Sequence, residues 1–274
     1  MSDIRSRLKD AKRIVIKVGT STLTHAASSG LNFFRIDHLI RELADLHNSG
    51  REIILVTSGA IAAGIDRMRL SRKPDTIPEN QALAAIGQGV LMHAYEKFFA
   101  EYGKTMAQLL LTRADAADAH ARENSRNSLM AILKMGAIPV INENDAVAVD
   151  EIKIGDNDNL SAIVATLIDA ELLIILTDID GFYTDNPKLN PAARLIEEIE
   201  ELTPEIEKLA GGPGTKLGTG GMYTKLQAAK LVLAAGIPMV IAPGSELNVL
   251  RRVLGGERLG TVFSAKNLSR LENF

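Results

Sequence analysis

Short, largely apolar runs recur along the chain, and most give way to a glycine or a polar loop and then to a segment of helical period. The runs are Arg13 to Val18, Ile53 to Val56, Met106 to Leu111, Ala137 to Ile141, Leu172 to Leu176, Ile237 to Ile241 and Thr261 to Phe263. Apolar runs this short, without polar alternation, suit strands buried on both faces. Between them lie helical stripes. Ile36, Leu39, Ile40, Leu43 and Leu46 share one face and stop at Gly50, and Leu160, Ile163, Val164, Leu167 and Ile168 share another. One or two helices are predicted over 79–102 and further helices over 126–135, 226–235 and 246–254, with an acidic, partly helical arm over 195–207. Strand alternating with helix predicts an α/β fold around a parallel-rich sheet covered on both faces. No Pro/Gly linker divides the chain, so residues 1–274 are expected to form a single domain.

Composition narrows the chemistry. The chain has no cysteine, which excludes disulfides and thiolate ligands and fits a reducing compartment. A net charge of -3 argues against a general nucleic-acid or membrane-surface binder, and the absence of tryptophan argues against a base-stacking platform. The first residues, MSDIRSRLKDAKR, lack the apolar core of a secretory signal, and the longest apolar runs cannot span a bilayer. A cytoplasmic protein without a nucleic-acid or membrane partner is expected.

The most polar stretch is Asn142 to Ala162, which carries Glu143, Asp145, Asp150, Glu151, Asp156 and Asp158 between an apolar run and a helical stripe. Asp156, Asn157 and Asp158 fall at the predicted helix start, where one of them suffices as a cap. A calcium loop is excluded, because the next ligand position is Leu160 and no glycine follows. A polar pocket at the carboxyl end of a strand remains, which is where open α/β sheets bind ligands. Lys17 closes the first apolar run and is followed by Gly19-Thr20-Ser21, a pattern better suited to an anion than to an edge strand. The small residues from Thr57 to Gly64 fit either tight helix packing or a turn in which Ser58 and the following N–H groups bind a carboxylate. A glycine-rich run, 211–221, leads into a helix carrying Lys225. His93 and His120 are isolated, and no metal-ligand spacing is visible. Neither a P-loop nor a dinucleotide-binding glycine motif is present. Two distant lysines and an acid-rich loop suit phosphoryl transfer, which relies on positioning and on neutralising charge.

Lys17-Val18-Gly19-Thr20-Ser21, V-T-S-G-A-I-A-A-G ending at Gly64, N-E-N-D-A-V from Asn142, I-G-D-N-D-N-L-S-A ending at Ala162, L-T-D from Leu176 and G-T-G-G-M-x-T-K-L-Q-A-A from Gly218 together resemble the glutamate 5-kinases of the amino acid kinase family. The resemblance spans nearly the whole chain. It implies an αβα sandwich with a mainly parallel central sheet, and transfer of the γ-phosphoryl group of ATP to L-glutamate. It implies that Lys17 and Lys225 hold the phosphates, that Asp158 orients both lysines, and that Ser58, Asp145 and Asn157 bind glutamate with Asn142 and Asp156 close by. Gly19, Thr177, Asp178 and the run Thr219, Gly220, Gly221, Met222, Tyr223, Thr224 and Lys225 are implied for ATP, with Mg²⁺ carried by ATP rather than by direct protein ligands. The same resemblance implies a place in proline biosynthesis, coupling to glutamyl phosphate reductase, inhibition by proline and a homo-oligomer, dimer or tetramer. Many such kinases continue into a PUA domain; this chain stops at Phe274, so the kinase domain alone is expected. A non-catalytic nucleotide- or amino-acid-binding relative and a sibling kinase with another acceptor are the alternatives. Lys17, Asp158 and Lys225 argue against the first, and the N-E-N-D and G-D-N-D-N pair argues against the second.

Overall fold

The computed structural model describes residues 4–25, 30–147, 157–185, 187, 189–210 and 220–264. In chain order the first elements are α1 (Ile4–Arg7), β1 (Arg13–Val18), α2 (Thr20–Leu23), α3 (Phe33–Asn48), β2 (Glu52–Thr57), α4 (Ala60–Arg67) and α5 (Ile77–Glu101). They are followed by β3 (Met106–Leu111), α6 (Arg113–Ala117), α7 (Ala119–Lys134), β4 (Ile138–Glu143), α8 (Asn157–Leu167), β5 (Leu172–Thr177), β6 (Phe182–Tyr183) and β7 (Leu195–Ile196). The last are β8 (Glu198–Ile199), α9 (Pro204–Leu209), α10 (Gly220–Ala234), β9 (Met239–Pro243), α11 (Val249–Leu254) and β10 (Thr261–Phe263). The chain divides into two compact units, one of residues 1–17 with 154–274 and one of residues 18–153.

In the unit of residues 18–153 the strand order is β3-β4-β2, and both pairings are parallel. Ile138 to Ile141 of β4 are buried without alternation, as a strand covered on both faces requires. The one or two helices predicted over 79–102 are a single 25-residue helix, α5, begun by Thr76, whose hydroxyl accepts from the Glu79 N–H. It packs against α4 backbone to backbone. A Cβ on Gly64 would stand 2.1 Å from the Leu83 carbonyl oxygen, and one on Gly87 would stand 1.8 Å from that of Ala60. Helix packing therefore explains the small residues at Ala60 and Gly64, while Ser58 stands before α4. On α5, the buried Tyr95 hydroxyl lies 2.7 Å from that of Thr57 at the end of β2. Burial pushes the Tyr95 phenol far above its ordinary range, so it stays protonated.

In the other unit the order is β1-β5-β9-β10-β8, with β5 and β9 parallel, β9 and β10 antiparallel, and β10 and β8 parallel. Every residue of β5 is buried. The arm over 195–207 is mostly not helical. It supplies β7 and β8 before α9 begins at Pro204, because Ile199 finds a buried place beside β10.

Arg5 ties α1 to this unit. It is 3% exposed and donates to the carbonyl oxygens of Glu197 (2.8 Å), Gly260 (2.9 Å), Glu257 (3.0 Å) and Leu259 (3.0 Å). Carbonyls left without a donor in a buried place are costly, and a guanidinium is the side chain whose planar fork serves several at once. Arg5→Met is expected to destabilise the protein by about 2–3 kcal/mol. Thermal unfolding checks this, and an unchanged midpoint would show that the four bonds contribute nothing net. Among the described residues, no helix is long and apolar enough to cross a membrane.

Candidate active site

Three charged side chains that sequence places far apart meet in the unit of residues 1–17 and 154–274. The carboxyl end of β1 supplies Lys17, the first turn of α8 supplies Asp158, and α10 supplies Lys225; they are 6%, 1% and 6% exposed. Charges this deeply buried persist only when paired. Lys17 Nζ stands 2.7 Å from Asp158 Oδ1, and Lys225 Nζ stands 3.2 Å from Asp158 Oδ2. Thr224 Oγ1 is 2.8 Å from the same Oδ2, and Lys225 Nζ also donates to the Gly221 carbonyl at 3.0 Å. Gly221, Thr224 and Lys225 are spaced i, i+3, i+4, so helical geometry alone puts them on one face of α10.

One carboxylate between two ammonium groups leaves one positive charge in excess. The titration of the cluster reflects this. Burial pushes the Lys17 ammonium below the ordinary lysine range, Asp158 opposes that, and Lys225 adds to it. For Asp158, burial pushes the carboxyl up, but the two ammonium groups outweigh it and hold it below the usual carboxylate range. A buried site with excess positive charge and donors on two elements is suited to a multiply charged anion such as a phosphate chain.

Other predicted residues of this unit lie on α8 and α10 or at the end of β5. Thr177 ends β5 with its side chain buried, its hydroxyl donating to Asp178 at 3.2 Å and its carbonyl accepting from the Gly244 N–H at 2.7 Å. The Asp178 carboxylate lies close enough to Lys17 to favour its charged form. Asn157 is the buried first residue of α8. Gly220 opens α10, and Met222 and Tyr223 are half-buried on its first turn. Asp156 and Thr219 lie outside the described residues, as do Asp150 and Glu151.

The unit of residues 18–153 holds the remaining ones. Gly19 precedes α2 as its N-cap. Ser58 follows β2, its N–H donating to the Val18 carbonyl at 3.1 Å. Asn142, buried near the end of β4, accepts from the Glu143 N–H at 2.9 Å and donates to Gln88 Oε1 at 2.8 Å. Asp145 is half-buried in the turn that follows. Val56 pairs with Ile141, so the parallel register brings the ends of β2 and β4, and with them Ser58 and Asn142, to one edge.

A family model described as the amino acid kinase family matches residues 12–243. The chain belongs to the amino acid kinase family. Among curated relatives it is 54% identical over 261 residues to a glutamate 5-kinase of Moorella thermoacetica, covering 95% of this chain and 69% of that one. It is 55% identical over 258 residues to a glutamate 5-kinase of Clostridium tetani, covering 94% and 96% respectively. A third glutamate 5-kinase, of Caldanaerobacter subterraneus subsp. tengcongensis, is 57% identical over 251 residues, covering 92% and 67%. Solved structures share the fold at low identity. The UMP kinase of Bacillus anthracis superposes with a TM-score of 0.62 at 16% identity, covering 94% of this chain and 97% of that one. The isopentenyl phosphate kinase of T. acidophilum superposes at 0.63 with 18% identity, covering 92% and 99%. The mainly parallel α/β fold of this amino acid kinase is thus the fold of those enzymes.

Two features of this family member escape sequence reasoning. The Thr224 hydroxyl donates to Asp158, a bond beside the nucleotide role that the resemblance implies for this residue; adjacency to Lys225 on a helix is the available signal. Gln88 had only its place between Gly87 and Gly89 to mark it, and its bond to Asn142 emerges from the fold alone.

Proposed function

We propose that this amino acid kinase acts as a glutamate 5-kinase, moving the γ-phosphoryl group of ATP to the side-chain carboxylate of L-glutamate. The observation that carries this reading is the buried Lys17–Asp158–Lys225 cluster, held in a chain that is 54–57% identical to proteins bearing that name. A carboxylate oxygen forms the new bond to the γ-phosphorus as the bond from that phosphorus to the β–γ bridging oxygen breaks. The products are L-glutamyl 5-phosphate and ADP. A carboxylate is already ionised at neutral pH, so the step requires no general base. The work left to the protein is to place the reactants and to neutralise charge on the transferring group, and Lys17 and Lys225 do this while Asp158 sets their spacing.

Nucleotide contacts are assigned to Gly19, Thr177, Asp178 and the run from Thr219 to Lys225. Glutamate contacts are assigned to Ser58, Asn142, Asp145, Asp156 and Asn157. Asp145 offers an acceptor for the substrate ammonium, and Ser58 with the N–H groups after it offers donors for a carboxylate. Both oxygens of Asp158 face ammonium groups, a donor set that does not suit a divalent cation. Mg²⁺ is accordingly assigned to the ATP phosphates and water, where it offsets phosphate charge. Residues 1–274 are proposed to work as one kinase domain in the cytoplasm, as a homo-oligomer, inhibited by proline and delivering its acyl phosphate to glutamyl phosphate reductase.

A coupled kinase assay across L-glutamate, L-aspartate, N-acetylglutamate, carbamate and a nucleoside monophosphate tests the acceptor. Turnover is expected to be fastest with L-glutamate. Faster turnover with another acceptor would assign the chain to a sibling activity, and binding of ATP with no turnover at all would make it a binding protein.

A further inference from the structure

The Asn142 amide is oriented by a donor whose identity is beyond doubt, the Glu143 main-chain N–H, which points at Asn142 Oδ1 from 2.9 Å. The Asn142 nitrogen must then face Gln88, and Gln88 must answer with its oxygen, at 2.8 Å. This fixes the Gln88 amide in turn and leaves its nitrogen, Nε2, pointing elsewhere. That nitrogen is buried and meets no acceptor among the described residues. A buried amide donor without an acceptor is costly, and such atoms in folded proteins call for a specific explanation.

The position of Gln88 supplies one. Its neighbour Gly87 lies against the Ala60 carbonyl, in the first turn of α4, so this point of α5 abuts the helix that begins just after Ser58. The same face of α5, seven residues on, bonds through Tyr95 to Thr57 at the end of β2. Gln88 therefore sits where the end of β4, the end of β2 and the start of α4 converge, beside the residues assigned to the amino-acid acceptor.

We propose that Gln88 is a specificity-determining residue of the acceptor site: its oxygen fixes the Asn142 amide, and its Nε2 donates to a carboxylate oxygen of the bound amino acid. The inference rests on the reading of Ser58, Asn142 and Asp145 as acceptor contacts and adds to it a donor from α5, a helix in which the sequence alone marks no site residue. A hydrogen bond to a charged oxygen in a buried site is worth about one to two orders of magnitude in affinity.

Two variants separate the two halves of the amide. Gln88→Met removes both donor and acceptor at nearly constant volume. Gln88→Glu keeps an oxygen for Asn142 and replaces the donor with a second acceptor. L-glutamate binding by calorimetry without ATP, together with KM for glutamate and for ATP, is the readout. Both variants are expected to weaken glutamate about 10- to 100-fold while the KM for ATP stays within about twofold. Glutamate affinity within about twofold of wild type in Gln88→Glu would overturn the proposal, since a residue that only positions Asn142 tolerates that change. Gln88→Glu also decides the matter if Gln88→Met fails to fold. The wild-type measurement judges the acceptor reading separately. If another amino acid proves to be the acceptor, that reading fails, and the variant-to-wild-type ratio on the new acceptor still decides Gln88. Failure of wild type to bind any amino acid would overturn both.

Discussion

Replacing Lys225 by alanine is expected to lower turnover about a hundredfold or more, equivalent to about 2.7 kcal/mol of transition-state stabilisation. The loss is expected in kcat as well as in kcat/KM, because charge on the transferring phosphoryl oxygens is greatest in the transition state. The fold should survive, because Asp158 keeps its 2.7 Å partner Lys17 and no buried carboxylate is left unpaired. Steady-state kinetics beside a thermal melt provide the check. Unchanged turnover in a folded Lys225→Ala protein would remove this lysine from the mechanism.

Asp158→Asn is expected to act on both stability and activity. The carboxylate is the shared counter-ion of two buried lysines, and removing one partner of a buried ionic cluster costs about 3–5 kcal/mol. Asparagine can still accept from Thr224 and a lysine, which places the expected cost near the lower end. The pH dependence has a definite sign. The folded protein holds the Asp158 carboxyl below its ordinary value of 3.8, so the stability it contributes is fully present above that value and is lost as pH falls through the folded one. Wild type and Asp158→Asn should therefore differ most near neutral pH and converge in acid. Lys17, whose folded value is lowered, shapes the alkaline side: native protein releases its proton earlier than unfolded chain does, so stability gains from this group as pH rises toward 10.5. Denaturant unfolding from pH 2 to 7, which spans the window below 3.8, would test the first expectation. A constant gap across that range would mean that Asp158 is not the counter-ion its geometry suggests.

Much of the frame was readable from the sequence because burial on both faces writes itself as short, largely apolar runs. Each run located by sequence coincides with a strand, within a residue or two at its ends, although β3 is only partly buried. Lys17 and Lys225 stood out for a related reason, since ammonium groups at the end of a buried strand and at a glycine-led helix start have few structural uses. What the sequence hid was set by long-range pairing. Arg5 looked like part of a charged N-terminal segment, yet its acceptors are carbonyls 192 to 255 residues away. The start of α7 was missed by seven residues, because the segment Arg122 to Ser128 is too polar to show a stripe; Asp118 caps the helix, accepting from the Ala121 N–H at 2.8 Å. Helix α11 starts later than predicted, at Val249, because Asn248 takes a left-handed conformation just before it. In the candidate site, residue types announced the charged cluster, whereas the Gln88–Asn142 bond required knowing which helix lies over which strand end.

The measurement that bears most directly on the central claim is hydroxamate formation by the full chain with ATP, Mg²⁺ and hydroxylamine, run with and without L-glutamate and followed alongside ADP release. Hydroxylamine traps an acyl phosphate and leaves a phosphate ester or anhydride untouched. Hydroxamate that appears only with L-glutamate, in step with ADP, is the predicted result. ADP release without hydroxamate, or neither product in a protein that binds both ATP and glutamate, would contradict it.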